Sequence, residues 1–350
     1  MTTHASEDSP GAESSTDTGT VRTIRLGTRA SRLALAQSGI VARSIEDASA
    51  RRGSPVHVDL IHVTTHGDTT STPLRQLGGV GVFVARLRQA VLEGECDVAV
   101  HSAKDLPVAP APGLTWAAVP RREDPRDVLC ARDDLGVADL PRGARIGTGS
   151  PRRAAQLIAL RPDLRIVDLR GNVPTRLARV GADLDAVVLA AAGLRRLERT
   201  DAITQYLDPA TMVPAAAQGA LAVEVREDSD PALVDLLRAL DHAPSHLAIT
   251  AERALMRALG AGCAAPIGAL ALPGPDDSIT LRASVSPVDG GSALHRSLSA
   301  RISADEGDPA SLRDAEALGE SLARKLVRAG AEDVVDLHAD TAGGLPGEEQ

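Results

Sequence analysis

The chain is predicted to be an α/β protein with two related lobes and a smaller C-terminal α/β unit, on three observations. Short apolar runs alternate with stretches whose apolar residues recur at helical spacing, the pattern of parallel sheets covered by helices. Two segments repeat: Leu26-Gly27-Thr28 matches Ile146-Gly147-Thr148, and the ten residues from Asp97 to Leu106 match those from Asp185 to Leu194. The last third has a different rhythm, with one helix, a group of strands and a closing helix, which suits a separate unit.

In chain order, Val21 to Leu26 reads as a strand, followed by a helix whose stripe is Leu33, Ala36, Ile40 and Val41. Val56 to Val63 is a second strand, ending in Thr64-Thr65-His66-Gly67-Asp68. Beyond a Gly-rich loop, Phe83, Leu87, Ala90 and Val91 share a helical face that stops at Gly94, and Asp97 to Val100 is a buried strand. Further strands are predicted at Asp127 to Ala131, Arg165 to Leu169 and Asp185 to Leu189. The last unit takes a helix around Leu247 to Leu259, strands at Ile267 to Leu272 and Ile279 to Val285, and a helix carrying Leu312, Ala315, Leu318 and Leu322.

Arginine recurs where a helix favours an acid. In Gly147-Thr148-Gly149-Ser150-Pro151-Arg152-Arg153, Ser150 can cap, Pro151 suits the first helical position, and both arginines fall in the first turn. A cation there opposes the helix dipole by roughly 0.3–1 kcal/mol, so the pair calls for an anion from elsewhere. Leu169-Arg170-Gly171-Asn172-Val173-Pro174-Thr175-Arg176 and Gly27-Thr28-Arg29-Ala30-Ser31-Arg32 repeat the arrangement, giving three pockets for carboxylate or phosphate. Two lobes facing across a cleft would set these loops at the carboxyl ends of strands, where open α/β sheets bind ligands.

The repeat isolates Asp105. Its partner in the second copy is Gly193, so the acid departs from the shared scaffold; it either shapes the turn before Leu106-Pro107 or has chemical work. His101, Ser102 and Asp105 do not make a hydrolytic triad, because neighbours on a strand point to opposite faces. Gly78-Gly79-Val80-Gly81 lacks the Lys-Ser/Thr ending of a phosphate-binding loop. Cys96 and Cys130 sit in or beside apolar runs and read as inert core. Cys263, in Gly260-Ala261-Gly262-Cys263-Ala264-Ala265-Pro266, lies between a helix and a strand among glycines that permit close approach; spacing leaves a structural and a functional thiol equally open.

Composition narrows the function. A formal net charge of -9 over 350 residues argues against a protein that coats nucleic acid or anionic membrane. One Phe, one Trp and one Tyr cannot build a base-stacking platform, and three scattered cysteines suit a reducing compartment without a metal cluster. Residues 1–20 lack the apolar run and the arginines of targeting segments and read as a disordered leader, as residues 339–350 read as a disordered tail. A cytoplasmic enzyme with an acidic small-molecule ligand fits these numbers.

Several separated motifs together resemble the hydroxymethylbilane synthase, or porphobilinogen deaminase, family from about Val21 to about Val335. They are Arg25-Leu26-Gly27-Thr28-Arg29-Ala30-Ser31, the run from Ala99 to Pro107, Arg122-Glu123-Asp124-Pro125-Arg126-Asp127, Leu169-Arg170-Gly171-Asn172, Gln218-Gly219-Ala220, and Gly262-Cys263 with Pro266-Ile267-Gly268. The resemblance implies two lobes like those of periplasmic solute-binding proteins: one of residues 21–120 completed by 221–238, the other of 126–214. A third domain of 242–338 carries the cysteine. It also implies that a monomer joins four porphobilinogens head to tail, releasing ammonia at each step, and frees linear hydroxymethylbilane by hydrolysis.

On this resemblance Cys263 holds a dipyrromethane cofactor through a thioether. Asp105 hydrogen-bonds pyrrole N–H groups and stabilises the cation left by ammonia. Arg29, Ser31, Ser102, Lys104, Thr148, Ser150, Arg152, Arg153, Arg170, Arg176 and Gln218 surround the carboxylates. The chain departs from the family at Val80, often lysine, at Arg86, often glutamate, and at Ala264-Ala265, often bulkier; Arg86 is expected to replace some of the charge absent at Val80. The rival reading is a non-catalytic carrier of a dicarboxylate, which explains the arginines but not an acid placed among them.

Overall fold

The computed structural model describes residues 21–63, 81–261, 265–303 and 309–335. The chain runs through β1 (Arg22–Thr28), α1 (Arg32–Arg51), β2 (Val56–His62), α2 (Gly81–Leu92), β3 (Val98–Ser102) and β4 (Leu114–Ala118). It continues through β5 (Asp127–Ala131), β6 (Arg145–Gly147), α3 (Pro151–Leu160), β7 (Arg165–Val167), α4 (Val173–Leu177), β8 (Ala186–Ala190), α5 (Ala191–Arg196) and β9 (Gln205–Tyr206). Then follow β10 (Leu221–Arg226), α6 (Pro231–Arg238), α7 (Ala243–Ala258), β11 (Ile267–Pro273), β12 (Ser278–Val285), β13 (Leu294–Arg301), α8 (Pro309–Arg328) and α9 (Ala331–Val334).

The strands form two five-stranded sheets, ordered β2-β1-β3-β10-β4 and β7-β6-β8-β5-β9, and a three-stranded sheet β11-β12-β13. β1 pairs parallel with β2 and β3, as β6 does with β7 and β8. β10 runs antiparallel between β3 and β4, and β5 antiparallel between β8 and β9. Matching β10 with β5 makes the two orders identical, so the sequence repeat is a repeat of topology. β3 and β8 hold the same place, and Asp105 and Gly193 follow them at equivalent points. The chain crosses from the first sheet to the second after β4 and returns after β9.

The repeated glycines keep their positions for a packing reason. A Cβ on Gly27 would stand 2.8 Å from Leu87 Cδ1 and 2.9 Å from Cys96 Sγ; on Gly147 it would stand 2.6 Å from Leu184 Cδ1. Their neighbours Leu26 and Ile146 are wholly buried, each contributing roughly 1.5–3 kcal/mol. Cys96 and Cys130 lie in the core, where burial pushes the Cys96 thiol up and takes Cys130 to about 12, so both are inert as thiolates.

The C-terminal sheet is backed by α7 and α8 around a core that includes Leu255, Leu281 and Leu322. Four strands escape the sequence patterns: β4, β9 and β10, and β13, which presents Arg296, Ser297 and Ser299 in a mostly exposed run. The leader, the tail, Thr64 to Val80 and Cys263 lie outside the described residues.

Candidate active site at the lobe junction

The topology sets which chain ends meet. The parallel strands β1, β3, β6 and β8 present their carboxyl ends. The antiparallel strands begin beside them, with Leu221 opposite Ser102 and Asp127 opposite Ala190. Gln218, just before β10, and Asp127, the first residue of β5, therefore join the loops after β3 and β6 on one edge.

Asp127 is fully buried and is gripped by both arginines of α3. Arg152 Nη1 lies 2.8 Å from Oδ2; Arg153 Nε and Nη2 lie 2.9 and 2.8 Å from Oδ1. Burial alone would raise the Asp127 carboxyl, but the two guanidinium groups hold it far below the usual range. Part of the anion that the helix start calls for is thus supplied from within. Arg152 also donates to the Val213 carbonyl at 2.7 Å and Arg153 to that of Val188 at 2.9 Å.

Gln218 links the lobes. Its Nε2 donates to Asp127 Oδ1 (2.9 Å) and the Pro125 carbonyl (2.8 Å), while its Oε1 accepts from Lys104 Nζ (3.3 Å) and Arg153 Nη2 (3.4 Å). Burial lowers the Lys104 ammonium to about 8, against the pull of Asp105, with Arg153 and Arg152 adding to the fall. Arg176 stands close enough that Arg153 lowers it further, after burial as the main cause. Four cations, Arg152, Arg153, Arg176 and Lys104, thus share this region with three acids, Asp127, Asp105 and Asp168, the last beside Arg170.

Several predicted residues act locally. Ser31 caps α1, accepting from Ala34 N at 3.2 Å, and Ser150 caps α3, accepting from Arg153 N at 3.4 Å. Ser102 Oγ accepts from Gln37 Nε2 at 2.8 Å. Thr148 is buried, its Oγ1 taking the Ser150 amide at 3.2 Å. Arg29 is half-buried directly after β1. Arg176 Nε donates to the Gly171 carbonyl at 2.7 Å, and Arg170, half-exposed, meets only the margin of a hydrogen bond with Asp168 at 3.4 Å.

His101 faces Glu224 at 3.3 Å, away from Ser102's partner on α1, which rules out a triad. Glu224 also holds Arg88 at 2.8 Å, and these partners outweigh burial to bring its carboxyl down to about 2.

Arg86 Nη2 lies 2.8 and 3.1 Å from the two carboxylate oxygens of the half-exposed Glu95, and Val80, whose missing charge it was expected to replace, lies outside the described residues. Two residues absent from the sequence-based set belong to this region. Asp127 left a signal, an acid heading the otherwise apolar run Asp-Val-Leu-Cys-Ala; Arg253, described below, left none.

The fold and site define a class: a two-lobed α/β protein with a cation-rich junction between the lobes and a third unit packed at the crossover. Family models match most of the chain, "Porphobilinogen deaminase, dipyromethane cofactor binding domain" over residues 24–233 and "Porphobilinogen deaminase, C-terminal domain" over residues 246–328. The chain belongs to the porphobilinogen deaminase family. It is 50% identical over 334 residues to the porphobilinogen deaminase of Cutibacterium acnes, covering 90% of this chain and 98% of that one. It is 51% identical over 319 residues to that of Leifsonia xyli, covering 90% and 94%. A putative methionine-binding lipoprotein of Bacillus subtilis aligns with 63% of this chain and 90% of its own at 11% identity and a TM-score of 0.39, a likeness too slight to add weight.

Proposed function

We propose that this chain is a cytoplasmic, monomeric hydroxymethylbilane synthase, a transferase of tetrapyrrole and heme biosynthesis. It condenses four porphobilinogen molecules head to tail, releases ammonia at each step and yields linear hydroxymethylbilane. The observation that carries the reading is the surplus of buried or half-buried cations over acids where the lobes meet. A cationic region of this kind is stabilised by ligand carboxylates, which a growing pyrrole chain brings with every unit.

The residues present fit a dipyrromethane group, the cofactor named by the matched family model. Arg152 has a buried Nε without a hydrogen-bond partner among the described residues, a donor left for an acceptor from outside. Lys104, Arg152, Arg153 and Arg176 would hold its carboxylates, with Arg29, Arg170, Ser31, Ser102, Thr148, Ser150 and Gln218 around them, and Cys263 would be its covalent anchor. When bound, the cofactor supplies the tethered pyrrole to which substrate units are joined. Anchoring keeps the product chain at high effective concentration between steps.

Asp105 accepts hydrogen bonds from pyrrole N–H groups and offsets the positive charge that develops as ammonia leaves. Its place on the 3₁₀ turn Ala103–Asp105, which directly ends β3, fixes it to the sheet edge. The proposed division into 21–120 with 221–238, 126–214 and 242–338 places acid and anchor in different units that meet around the substrate.

Intact-mass spectrometry tests the reading. The purified chain should carry a dipyrromethane adduct that Cys263→Ala abolishes, and Asp105→Ala should remain folded with little turnover. An unmodified, active protein would overturn the anchor, and near-normal hydroxymethylbilane production by the Asp105 variant would remove that acid from the mechanism. A carrier without catalysis would show neither adduct nor product.

A further inference from the structure

Arg253 lies on α7, in the C-terminal unit, yet its guanidinium reaches into the first lobe. Nη1 donates to the carbonyls of Ala103 at 3.2 Å and Leu106 at 3.0 Å, and Nη2 to that of Pro107 at 2.5 Å. These three carbonyls bracket Lys104 and Asp105. The guanidinium carbon also sits 4.9 Å from the ring centre of Trp116 on β4, so the plane rests on an aromatic face while its edge serves the loop.

The ends of the loop are anchored: Ala103 and Leu106 are buried in a hydrophobic cluster that includes Ile249 of α7, and the Ala103 amide donates to the Ala220 carbonyl at 3.1 Å. Within the turn one backbone hydrogen bond is found among the described residues, from Leu106 N to Ala103 O at 3.4 Å, and the chain then enters the run Pro107-Val108-Ala109-Pro110, where prolines cannot donate, so the carbonyls around Asp105 depend on Arg253. A rigid planar fork carrying several donors satisfies three carbonyls at fixed angles; a lysine ammonium on a flexible stem holds them less closely. Just beyond the loop, Val108 packs against the same hydrophobic cluster as Ala265, close in sequence to Cys263. α7 itself leads into the cysteine segment.

We propose that Arg253 is a positioning residue: it sets the Asp105 carboxylate at a fixed place relative to the C-terminal unit, so that acid and anchor stay in register as the product lengthens. This rests on the reading of Asp105 and Cys263 given above. Catalytic geometry tolerates little error, and a displacement of about 1 Å costs on the order of 100-fold in rate.

The test uses the full-length, adduct-bearing protein. Arg253→Met should lower kcat by roughly 10- to 100-fold while KM stays within about threefold and the adduct remains stoichiometric. Arg253→Lys should recover part of the loss. Arg257→Met, on the same helix but paired at the surface with Glu316 at 3.3 Å, is the control for general damage to α7 and should keep the parental rate. The deciding comparison is made in the Asp105→Ala background, where removing Arg253 should cost less than about twofold more, because a residue acting through Asp105 has nothing left to position.

A kcat within about twofold of the parent in Arg253→Met would overturn the proposal, as would equal losses in the presence and absence of Asp105. If Arg253→Met does not fold, the Lys variant carries the same comparison. Absence of the adduct from the parent protein would instead fail the underlying reading.

Discussion

Glu252, on α7, offers the sharpest stability test, because its carboxylate is fully buried and fully used. Oε1 accepts from Arg122 Nη1 at 2.6 Å and from the Ala271 amide at 2.7 Å; Oε2 accepts from Arg122 Nη2 at 3.1 Å and from the Ala217 amide at 2.5 Å. One side chain thus joins both crossover segments between the lobes, around residues 122 and 217, to the C-terminal sheet. In Glu252→Gln either oxygen that becomes an NH2 group abandons two donors, and Arg122, itself almost buried, loses its counter-charge.

Breaking a buried pair from one side costs about 3–5 kcal/mol. With a urea m-value near 3 kcal/mol/M, the unfolding midpoint should fall by about 1–1.7 M. The lone tryptophan, Trp116, lies with its ring centre 6.4 Å from that of His246 on the same helix, so its fluorescence reports this junction. The double variant Arg122→Leu/Glu252→Leu should be less damaged than the sum of its singles, since neither leaves the other charge stranded. A midpoint shift below about 0.3 M, or strict additivity, would refute the reasoning.

Three further outcomes follow from the same geometry. Because the Lys104 ammonium titrates near 8 rather than at its ordinary 10.5, its grip on carboxylates should weaken as pH rises through 8; kcat/KM should fall there, and the fall should move to higher pH in Lys104→Arg. Stability moves the other way for this group, since the cost of burying a charged amine is present below about 8 and is relieved as pH approaches 10.5. Asp127→Asn should cost about 3–5 kcal/mol, read by thermal unfolding, by stranding Arg152 and Arg153. Gly219→Ala should cost at least about 2 kcal/mol in the same assay: the residue sits at φ +90°, and its Cβ would come within 2.4 Å of the Glu123 carbonyl oxygen.

The parts of this molecule that were legible in the sequence are those whose physics is local. Ser31, Ser150 and Asn172 announce helix starts because a cap needs only the next three residues, and all three accept the capping hydrogen bond. The strand-loop-helix repeat was legible because the close packing at Gly27 and Gly147 excludes any side chain. What stayed hidden depends on distant partners. The identity of Asp127 as the acid between two arginines depends on a helix that begins after another strand has passed. Arg253 looks like any polar residue on a helix until the fold brings three carbonyls to it. β13 alternates too weakly to register, because Arg296 interrupts the face formed by Leu294, Leu298 and Ala300.

The place of β10 in the first sheet bears on how the protein is born. Because it inserts between β3 and β4, that sheet lacks an inner strand when residues up to Ala118 have left the ribosome. About 100 further residues must be synthesised first, on the order of 5–20 s at ordinary translation speeds. During that interval β3 and β4 cannot pair as they do at the end, and their open edges invite foreign strands. The second sheet has no such wait, since all five of its strands emerge consecutively. The later-made lobe should therefore mature ahead of the earlier one, and a nascent chain halted before Leu221 should be the aggregation-prone species.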